Sequence, residues 1–306
     1  MRKILFGLFS LACVGLSIIW WVTRPQMLTA SQVAVLESGG DVARGEHVFH
    51  AGGCASCHMT PGQEDRKKLG GGLALKTEFG TFIAPNISSH PQDGIGAWSA
   101  ADLANAMQRG VSPQGEHYYP AFPYTTYAHA RLEDIADLMA YLRTLPAVGG
   151  KAHAHDLAFP FSIRRFVGVW KMLFLDTTPI VADASKSDAW NRGRYLADAL
   201  GHCAECHSPR NALGGIVSAQ RYAGGPDPEG RGWVPNITAK GLGSWSKSDV
   251  SELLGSGFTP DFDSVGSSMA DVVKNMAALP KADRDAMAEY LKSLPAVDGP
   301  PKPAKK

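Results

Sequence analysis

The chain has 306 residues, 44% of them hydrophobic and 19% charged, which are ordinary proportions for a globular protein of about two domains. Its formal net charge at pH 7 is +1, so the composition indicates no nucleic-acid partner. The 33 glycines and 20 prolines predict a structure rich in loops.

The first predicted element is a membrane-spanning helix. Two positive residues precede an uncharged apolar run from Ile4 to Val22, which at about 1.5 Å per residue matches a hydrocarbon core of about 30 Å. A cleaved signal peptide has a shorter apolar region of about 7–15 residues, and a loose cleavage site lies near Leu28-Thr29-Ala30. The sequence therefore favours a membrane anchor in residues 1–24, with a cleaved signal as the alternative.

The charge pattern also predicts an orientation. Positive residues at the start of a membrane helix favour the cytoplasmic side, so the rest of the chain is expected in the periplasm, outside the inner membrane. Trp20 and Trp21 fit an aromatic belt at the membrane surface. Cys13 is interpreted as a small apolar residue of this helix, because the Ser10-Leu11-Ala12-Cys13 segment matches a lipoprotein signal only loosely.

Four of the five cysteines lie in two copies of one motif, Cys54-Ala-Ser-Cys57-His58 and Cys203-Ala-Glu-Cys206-His207. Cys-x-x-Cys-His is the attachment signal of c-type haem, in which both thiols bind one porphyrin and the histidine ligates the iron. A thioredoxin-like site would need a βαβ pattern, and a zinc site does not need histidine after each pair. The motifs predict two covalently bound haem c groups with His58 and His207 as proximal ligands.

The chain after residue 40 repeats itself once, with matching segments about 149 positions apart. The matches outside the motifs are Pro85-Asn86-Ile87 with Pro235-Asn236-Ile237, Gly94–Ser99 with Gly241–Ser246, and Tyr141–Val148 with Tyr290–Val297. This repeat predicts two haem domains at residues 40–148 and 188–298, a linker at 149–187, and a disordered tail at 299–306.

The same helices are predicted in both halves, and little strand pattern is seen. The first helix runs from near Asp41 or Asp188 into the motif. The second is capped by Ser99 or Ser246 and ends at Gly110 or Gly255. The last covers about Glu133–Leu145 or Lys281–Leu294. We therefore expect an all-α fold with loops around haem.

The linker contains an unusually apolar segment from Phe159 to Leu175, which also carries Arg164, Arg165 and Lys171. It is too short and too charged to span a membrane. We interpret it as packed against both domains. A docking surface for a partner or the bilayer is the alternative.

The second haem is predicted to have Met269 as its distal ligand. Met269 follows a loop rich in glycine and serine, whereas the rival Met276 stands at helical spacing with Val273 and Leu279 and is expected in the core. Each proximal histidine needs an acceptor for its other ring N–H, and the loops at Pro61 and Pro209 are expected to provide carbonyls.

The first half differs at the distal position. The twelfth residue after Gly257 is Met269, but the twelfth after Gly110 is Phe122, which cannot ligate iron. The open alternatives are a histidine, a methionine from a core helix, or a five-coordinate iron. The side chains concerned are His117, which we favour, His129, Met107 and Met139.

Together these features resemble the multihaem cytochrome c subunits of membrane-bound bacterial dehydrogenases for alcohols, aldehydes, sugar acids or N-heterocycles. The residues that carry the resemblance are Pro85-Asn86-Ile87, Gly94–Ser99, Tyr119-Pro120-Ala121-Phe122-Pro123-Tyr124 and the Phe159–Leu175 segment. The chain departs from many relatives in having two haem motifs instead of three, and in Phe122, where the loop commonly has the ligand methionine.

The resemblance implies two tandem class I-like cytochrome c domains and a function in electron transfer. A partner dehydrogenase would be the donor, and quinone, another cytochrome or a terminal oxidase the acceptor. No arrangement of residues demands a catalytic acid–base pair or nucleophile. The alternative is a haem enzyme of the peroxidase or thiosulfate-oxidising type acting at an open first haem.

Overall fold

The computed structural model describes residues 2–151, 153–230 and 232–302. The chain is mostly helical, as predicted, with 45% of it in helices. Of the predicted disordered tail, residues 299–306, the structure describes 299–302, and residues 303–306 lie outside the described residues. A Cβ on Gly299 would lie 2.1 Å from the carbonyl oxygen of Ala223.

Seven helices lie before the linker among the described residues. They are α1 (Arg2–Val22), α2 (Ala30–Leu36), α3 (Val42–Ala51), α4 (Cys54–His58), α5 (Ala100–Ala104), which continues as a π-helical turn (Asn105–Arg109), α6 (Tyr124–Tyr127) and α7 (Leu132–Leu142).

The remaining helices follow in the linker and the second half. They are a 3₁₀ turn (Arg164–Phe166) leading into α8 (Val167–Phe174), α9 (Asp188–Tyr195) with a π-helical continuation (Leu196–Leu200), α10 (Cys203–His207), a 3₁₀ turn (Ser218–Gln220), α11 (Ala239–Leu242), α12 (Lys247–Ser256), α13 (Ser268–Ala277) and α14 (Lys281–Ser293).

Short antiparallel strands, which the sequence did not predict, brace the loops. The strands β1 (Ala74–Thr77), β2 (Gly80–Ile83) and β3 (Asp156–Leu157) form one sheet in that order, and β4 (Gly225–Pro226) pairs with β5 (Trp233–Val234). Through β3 the start of the linker is joined to the first half, with Gly80 opposite Leu157.

Each half is built around one close helix crossing, α3 against α7 in the first and α9 against α14 in the second. Both crossings need glycine. A Cβ on Gly45 would lie 2.0 Å from the Asp137 carbonyl oxygen, and one on Gly193 would lie 1.9 Å from that of Ala286. An arginine from the first helix binds an aspartate of the second in both cases, Arg44 to Asp137 and Arg192 to Asp283. The helix crossings of the two halves are therefore equivalent, both in the glycine at the contact and in the arginine–aspartate pair.

The predicted helix caps are confirmed. Ser99 and Ser246 each accept from the backbone of the aspartate three residues on, and that aspartate accepts from the cap in return. The first of these helical segments stops at Gly110, which has φ 58°, as expected. The second continues to Gly257, with φ 81°, so the predicted end at Gly255 is wrong by two residues. Gly257 provides the left-handed residue that ends the helix.

One apolar core runs through both halves. Phe49 and Leu142 of the first half and Leu200 and Met287 of the second belong to the same cluster, and each is at most 2% exposed. Burial of such a side chain stabilises a fold by about 1.5–3 kcal/mol. The halves are consequently held together by their core as well as by their surfaces.

The N-terminal helix stands apart from this core. Its segment Lys3–Val22 is long and apolar enough to cross a membrane, and none of it is buried. The chain re-enters the fold immediately afterwards, because Thr23 is 3% exposed and Leu28 is 8% exposed. The Leu28 amide donates to the side chain of Asn105 at 2.8 Å.

The linker contacts both halves, as predicted. In α8, Lys171 donates to the carbonyl oxygen of Gly110 in the first half at 2.6 Å. Trp170 donates from its indole N–H to the carbonyl oxygen of Leu213 in the second half at 2.8 Å. The linker is thus hydrogen-bonded to both halves.

Candidate functional site

Each Cys-x-x-Cys-His motif forms its own single helical turn. The residue before the first cysteine is in the left-handed region, Gly53 with φ 63° in the first motif and His202 with φ 42° in the second. At this residue the chain leaves the direction of the preceding helix and turns into the motif helix. Glycine adopts the conformation without strain, whereas at His202 it is uncommon and must be held by its surroundings.

The motif thiols are free, two in each half. Burial raises the pKa of Cys57 and Cys206 to about 11 and that of Cys54 and Cys203 to about 12. In the chain before haem attachment these buried thiols are therefore neutral at physiological pH, and neither pair forms a disulfide.

The two motif histidines are oriented identically. Nδ1 of His58 donates to the Pro85 carbonyl oxygen and Nδ1 of His207 donates to that of Pro235, both at 2.8 Å. Burial lowers the pKa of both imidazoles, which favours the neutral ring. With the proton on Nδ1, Nε2 keeps its lone pair for an iron.

The predicted acceptors at Pro61 and Pro209 are wrong. The carbonyls instead come from the repeated Pro-Asn-Ile segments, whose asparagines fix the loop. Asn86 donates to the Val148 carbonyl oxygen at 2.7 Å, and Asn236 donates to that of Val297 at 2.8 Å. The occurrence of Pro-Asn-Ile in both halves could have indicated this role. The sequence did not reveal it because the proline and the histidine that it binds are far apart in the chain.

The distal loops of the two halves have the same backbone arrangement. The amide of Tyr118 donates to Gly110 at 2.7 Å, and the amide of Val265 donates to Gly257 at 2.9 Å. This equivalence supports the alignment of Phe122 with Met269, which lies half-buried in the first turn of α13.

The rival residue Met276 is in the core, as expected, with 3% of its surface exposed. Met269 and Met276 therefore lie on the same helix, but Met269 is only half-buried, in the first turn after the distal loop, whereas Met276 is inside the core.

The structure places His117 away from a ligand role. Its Nε2 donates to the Thr23 carbonyl oxygen at 2.8 Å, and its Nδ1 accepts from the Lys171 ammonium at 3.1 Å. Burial and the charge of Lys171 lower its pKa to about 4. Both ring nitrogens are in use, so the prediction that His117 ligates the first iron does not fit this arrangement. The linker contact that occupies it was invisible in the local sequence.

The other candidates for the first iron also have different roles. Met107 and Met139 are 4% and 1% exposed and belong to the core. Nδ1 of His129 donates to the Thr178 carbonyl oxygen at 2.6 Å. Phe122 packs edge-on to Tyr118, with ring centroids 6.1 Å apart, so two aromatic rings of the distal loop contact each other.

Each motif helix forms hydrogen bonds that cross the interface between the halves. Ser56, inside the first motif, accepts from the side chain of Asn275 at 2.7 Å. Glu205, at the same place in the second motif, accepts from the hydroxyls of Thr125 at 2.7 Å and Thr126 at 2.9 Å. Each motif is thus held by the other half of the chain, a feature that the sequence did not reveal.

Aromatic and charged groups reinforce this interface. The Tyr127 hydroxyl donates to the Gly52 carbonyl oxygen at 2.7 Å, and its ring lies edge-on to His202 at 5.8 Å. Glu205 is buried, which acts to raise its pKa, but Arg210 and the threonine hydroxyls outweigh this and lower it. The Glu205 carboxylate therefore stays charged although it is buried.

These sites fit covalently bound haem. Each has two cysteines that are not paired with each other, followed by an imidazole with a fixed Nδ1 proton, which is the donor set that c-type haem requires. The fit rests on the cysteines and histidines alone and is the same in both halves.

The comparisons with known proteins agree with these sites. The model of the family Cytochrome c matches residues 42–146. A protein of Cereibacter sphaeroides described as "Diheme cytochrome c-type" is 49% identical over 300 residues, which cover 97% of this chain and 100% of that protein.

Two further relatives are subunits of dehydrogenases. One, from the nicotinate dehydrogenase of Pseudomonas putida, is 40% identical over 260 residues, covering 84% of this chain and 22% of the relative. The other, the fructose dehydrogenase cytochrome subunit of Gluconobacter japonicus, is 37% identical over 260 residues, covering 83% of this chain and 53% of the relative.

The chain therefore carries two covalently bound haem c groups, and it belongs to the dihaem c-type cytochromes.

Proposed function

We propose that this cytochrome passes electrons from a partner dehydrogenase to the respiratory chain, with quinone, another cytochrome or a terminal oxidase as acceptor. The observation that carries the proposal is the closeness of the two motifs: a Cβ on Gly53, directly before the first motif, would lie 3.7 Å from Nε2 of His202, directly before the second. It brings two one-electron centres together in one folded unit. The haem iron supplies the one-electron chemistry, and the chain supplies orientation and burial.

The names of relatives support a dehydrogenase as donor. They are cytochrome subunits of fructose, alcohol and gluconate dehydrogenases and a subunit of nicotinate dehydrogenase. An electron carrier is preferred to a peroxidase or thiosulfate-oxidising enzyme because the names of these cytochrome subunits describe parts of dehydrogenases.

We infer that the two halves are tandem class I-like cytochrome c domains, at residues 40–148 and 188–298, joined by the linker 149–187. The equivalent helix crossings at Gly45 and Gly193 support this division, as do the equivalent histidine–carbonyl bonds.

For the distal positions we propose Met269 as the ligand of the second iron. Its place at the start of α13, after a loop that matches that of the first half, supports this role. In the first half Phe122 holds the equivalent place and His117 is bound elsewhere. We infer that the first iron has no protein ligand on its distal side.

We propose that α1 is an uncleaved anchor in the inner membrane and that the haem domains face the periplasm. Cleavage near Ala30 would remove Thr23 and Leu28, which are buried, and Thr29, which caps α2. An anchored chain keeps these contacts. The positive residues Arg2 and Lys3 at the start of α1 favour the cytoplasmic side for the N-terminus.

Purification of the full chain from detergent-solubilised membranes of its own host tests the proposal. We expect a dehydrogenase subunit to co-purify, and one of its substrates to reduce both haems, followed by their absorbance. Alcohols, sugars, sugar acids and N-heterocycles are the substrates to try. A chain that purifies alone, or haems that only a chemical reductant reduces, would argue against the proposed donor.

A further inference from the structure

We propose that α8 and the segment before it lie against the lipid bilayer as a second, interfacial attachment beside α1. The inference rests on the proposed membrane anchoring by α1. It concerns seven large apolar side chains, between 39% and 80% exposed, which we call the linker surface. They are Phe159, Phe161, Ile163, Phe166, Val169, Met172 and Leu173.

The exposure of this surface follows from how α8 is seated. Val167 and Lys171 are at most 9% exposed and face the first half, with Gly168 buried between them. Met172 and Leu173 lie on the opposite side, with 63% and 61% of their surfaces exposed. Soluble proteins rarely expose so many adjoining apolar side chains, and such patches mark contacts with a membrane or partner.

The position of α8 favours the bilayer as the occupant. Arg165 donates to the backbone carbonyl oxygen of Trp20, and the Arg165 guanidinium lies 4.2 Å from the centre of the Trp20 indole ring. Gly168 packs so closely on Thr23 that a Cβ would lie 2.3 Å from the Thr23 carbonyl oxygen. The linker surface is therefore fixed to the last turn of α1.

The last turn of α1 is also where the membrane would end. The 20 residues of Lys3–Val22 span about 30 Å at about 1.5 Å per residue, which is the thickness of the hydrocarbon core. Trp20 and Trp21 are 65% and 63% exposed at this level. An apolar helix fastened beside an interfacial tryptophan pair lies at the depth of the headgroups.

The charges around the surface suit a bilayer with anionic lipids. Arg24 lies 4.5 Å from the centre of the Trp21 ring, and Arg165 lies over the Trp20 ring. Arg164 lies over the Tyr119 ring and pairs with Glu116. Asp176 follows α8 as a second acidic group. Arginines at the rim of an apolar helix bind lipid phosphates, which adds an electrostatic contribution to apolar burial.

Cysteine labelling in lipid nanodiscs tests the inference on the full, haem-loaded chain. The variant Met172→Cys is made in a Cys13→Ser background, and the discs contain phosphatidylethanolamine and phosphatidylglycerol. A matched control is Val181→Cys, because Val181 is 75% exposed and lies in the linker beyond α8. A water-soluble maleimide is added, and mass spectrometry gives the labelling rate relative to the same variant unfolded in detergent.

We expect the cysteine at position 172 to react at least about tenfold more slowly than that at position 181, since the reagent does not enter the bilayer. Equal rates would overturn the inference. Protection that appears only with several chains per disc would also overturn it, in favour of a second copy as the occupant. A chain that fails to enter discs would instead refute the anchor on which the inference rests.

Discussion

The two halves share a scaffold but differ at the positions that decide ligation. Both use a glycine at the helix crossing and a proline carbonyl to orient the motif histidine. In the distal loops, however, Met269 of the second half aligns with Phe122 of the first. Ser264 aligns in the same way with the buried His117. The requirements of attachment are thus repeated, while the proposed distal ligand Met269 has no counterpart in the first half.

The largest expected effect is the conversion of the second half into a copy of the first. The variant Met269→Phe should lose the thioether ligand and leave the second iron five-coordinate. We expect a high-spin absorption signal and carbon monoxide binding by the reduced protein to rise from one to two molecules per chain. The buried neighbour variant Met276→Leu is the control and should leave the spectrum unchanged.

The reciprocal variant Phe122→Met sharpens the same comparison. It should give the first iron a thioether ligand, raise its reduction potential, and remove the single carbon monoxide site of the wild-type protein. A wild-type chain that binds no carbon monoxide would show that the first iron already has a sixth ligand. Unchanged binding in Met269→Phe would show that this methionine is not the ligand.

The sequence was sufficient for the helix caps and the haem motifs, in which each residue acts on its near neighbours. The capping serines Ser99 and Ser246 need only an aspartate three residues away, and the haem motifs are contiguous. The sequence was insufficient where a contact spans the chain. Pro85 and Pro235 reach the motif histidines across a loop, and His117 is taken by Thr23 and Lys171 from two distant segments.

The next effect concerns the shared helix crossing. In Gly45→Val and Gly193→Val the new side chain would overlap a backbone carbonyl, at 2.0 Å and 1.9 Å from the Cβ alone. We expect each variant to lose about 3 kcal/mol or more of unfolding free energy. Denaturant titration followed by haem absorbance measures it.

The control for the crossing variants is Gly266→Ala, since a Cβ there meets no atom within 4 Å. It should change the unfolding free energy by less than about 1 kcal/mol. A Gly45→Val loss as small as that of the control, beside a large Gly193→Val loss, would mean that the two crossings are not equivalent in solution.

A smaller effect distinguishes the two sides of the motif interface. Glu205→Ala leaves two threonine hydroxyls and Arg210 without their carboxylate partner, whereas Ser56→Ala removes one neutral hydrogen bond to Asn275. Arg210 is 26% exposed and can turn to water, so we expect losses of about 2–3 kcal/mol for Glu205→Ala and about 1 kcal/mol for Ser56→Ala. Equal losses, measured by denaturant titration, would contradict a charged Glu205.

The smallest effect is a pH dependence that should distinguish the two distal loops. The pKa of His117 is about 4 in the fold, against an ordinary value of 6.5, because burial and the adjacent Lys171 and Arg165 disfavour the imidazolium. The unfolded segment therefore binds the proton more readily, and stability is lost as pH falls from about 6.5 towards about 4. At about pH 5 the loss should be about 1–2 kcal/mol.

Hydrogen exchange at about pH 7 and about pH 5, corrected for the intrinsic rates, measures this loss. Lys171, whose pKa is lowered to about 7 by burial, contributes a pH dependence only above that range. Protection at residues 20–28 and 115–120 should fall with acid, while the Ser264 loop, which has serine in place of this histidine, should keep its protection. In His117→Gln the acid response should vanish. Equal acid loss in both loops would place the titrating group elsewhere, because only the first loop joins the end of α1 to α8 through a buried imidazole.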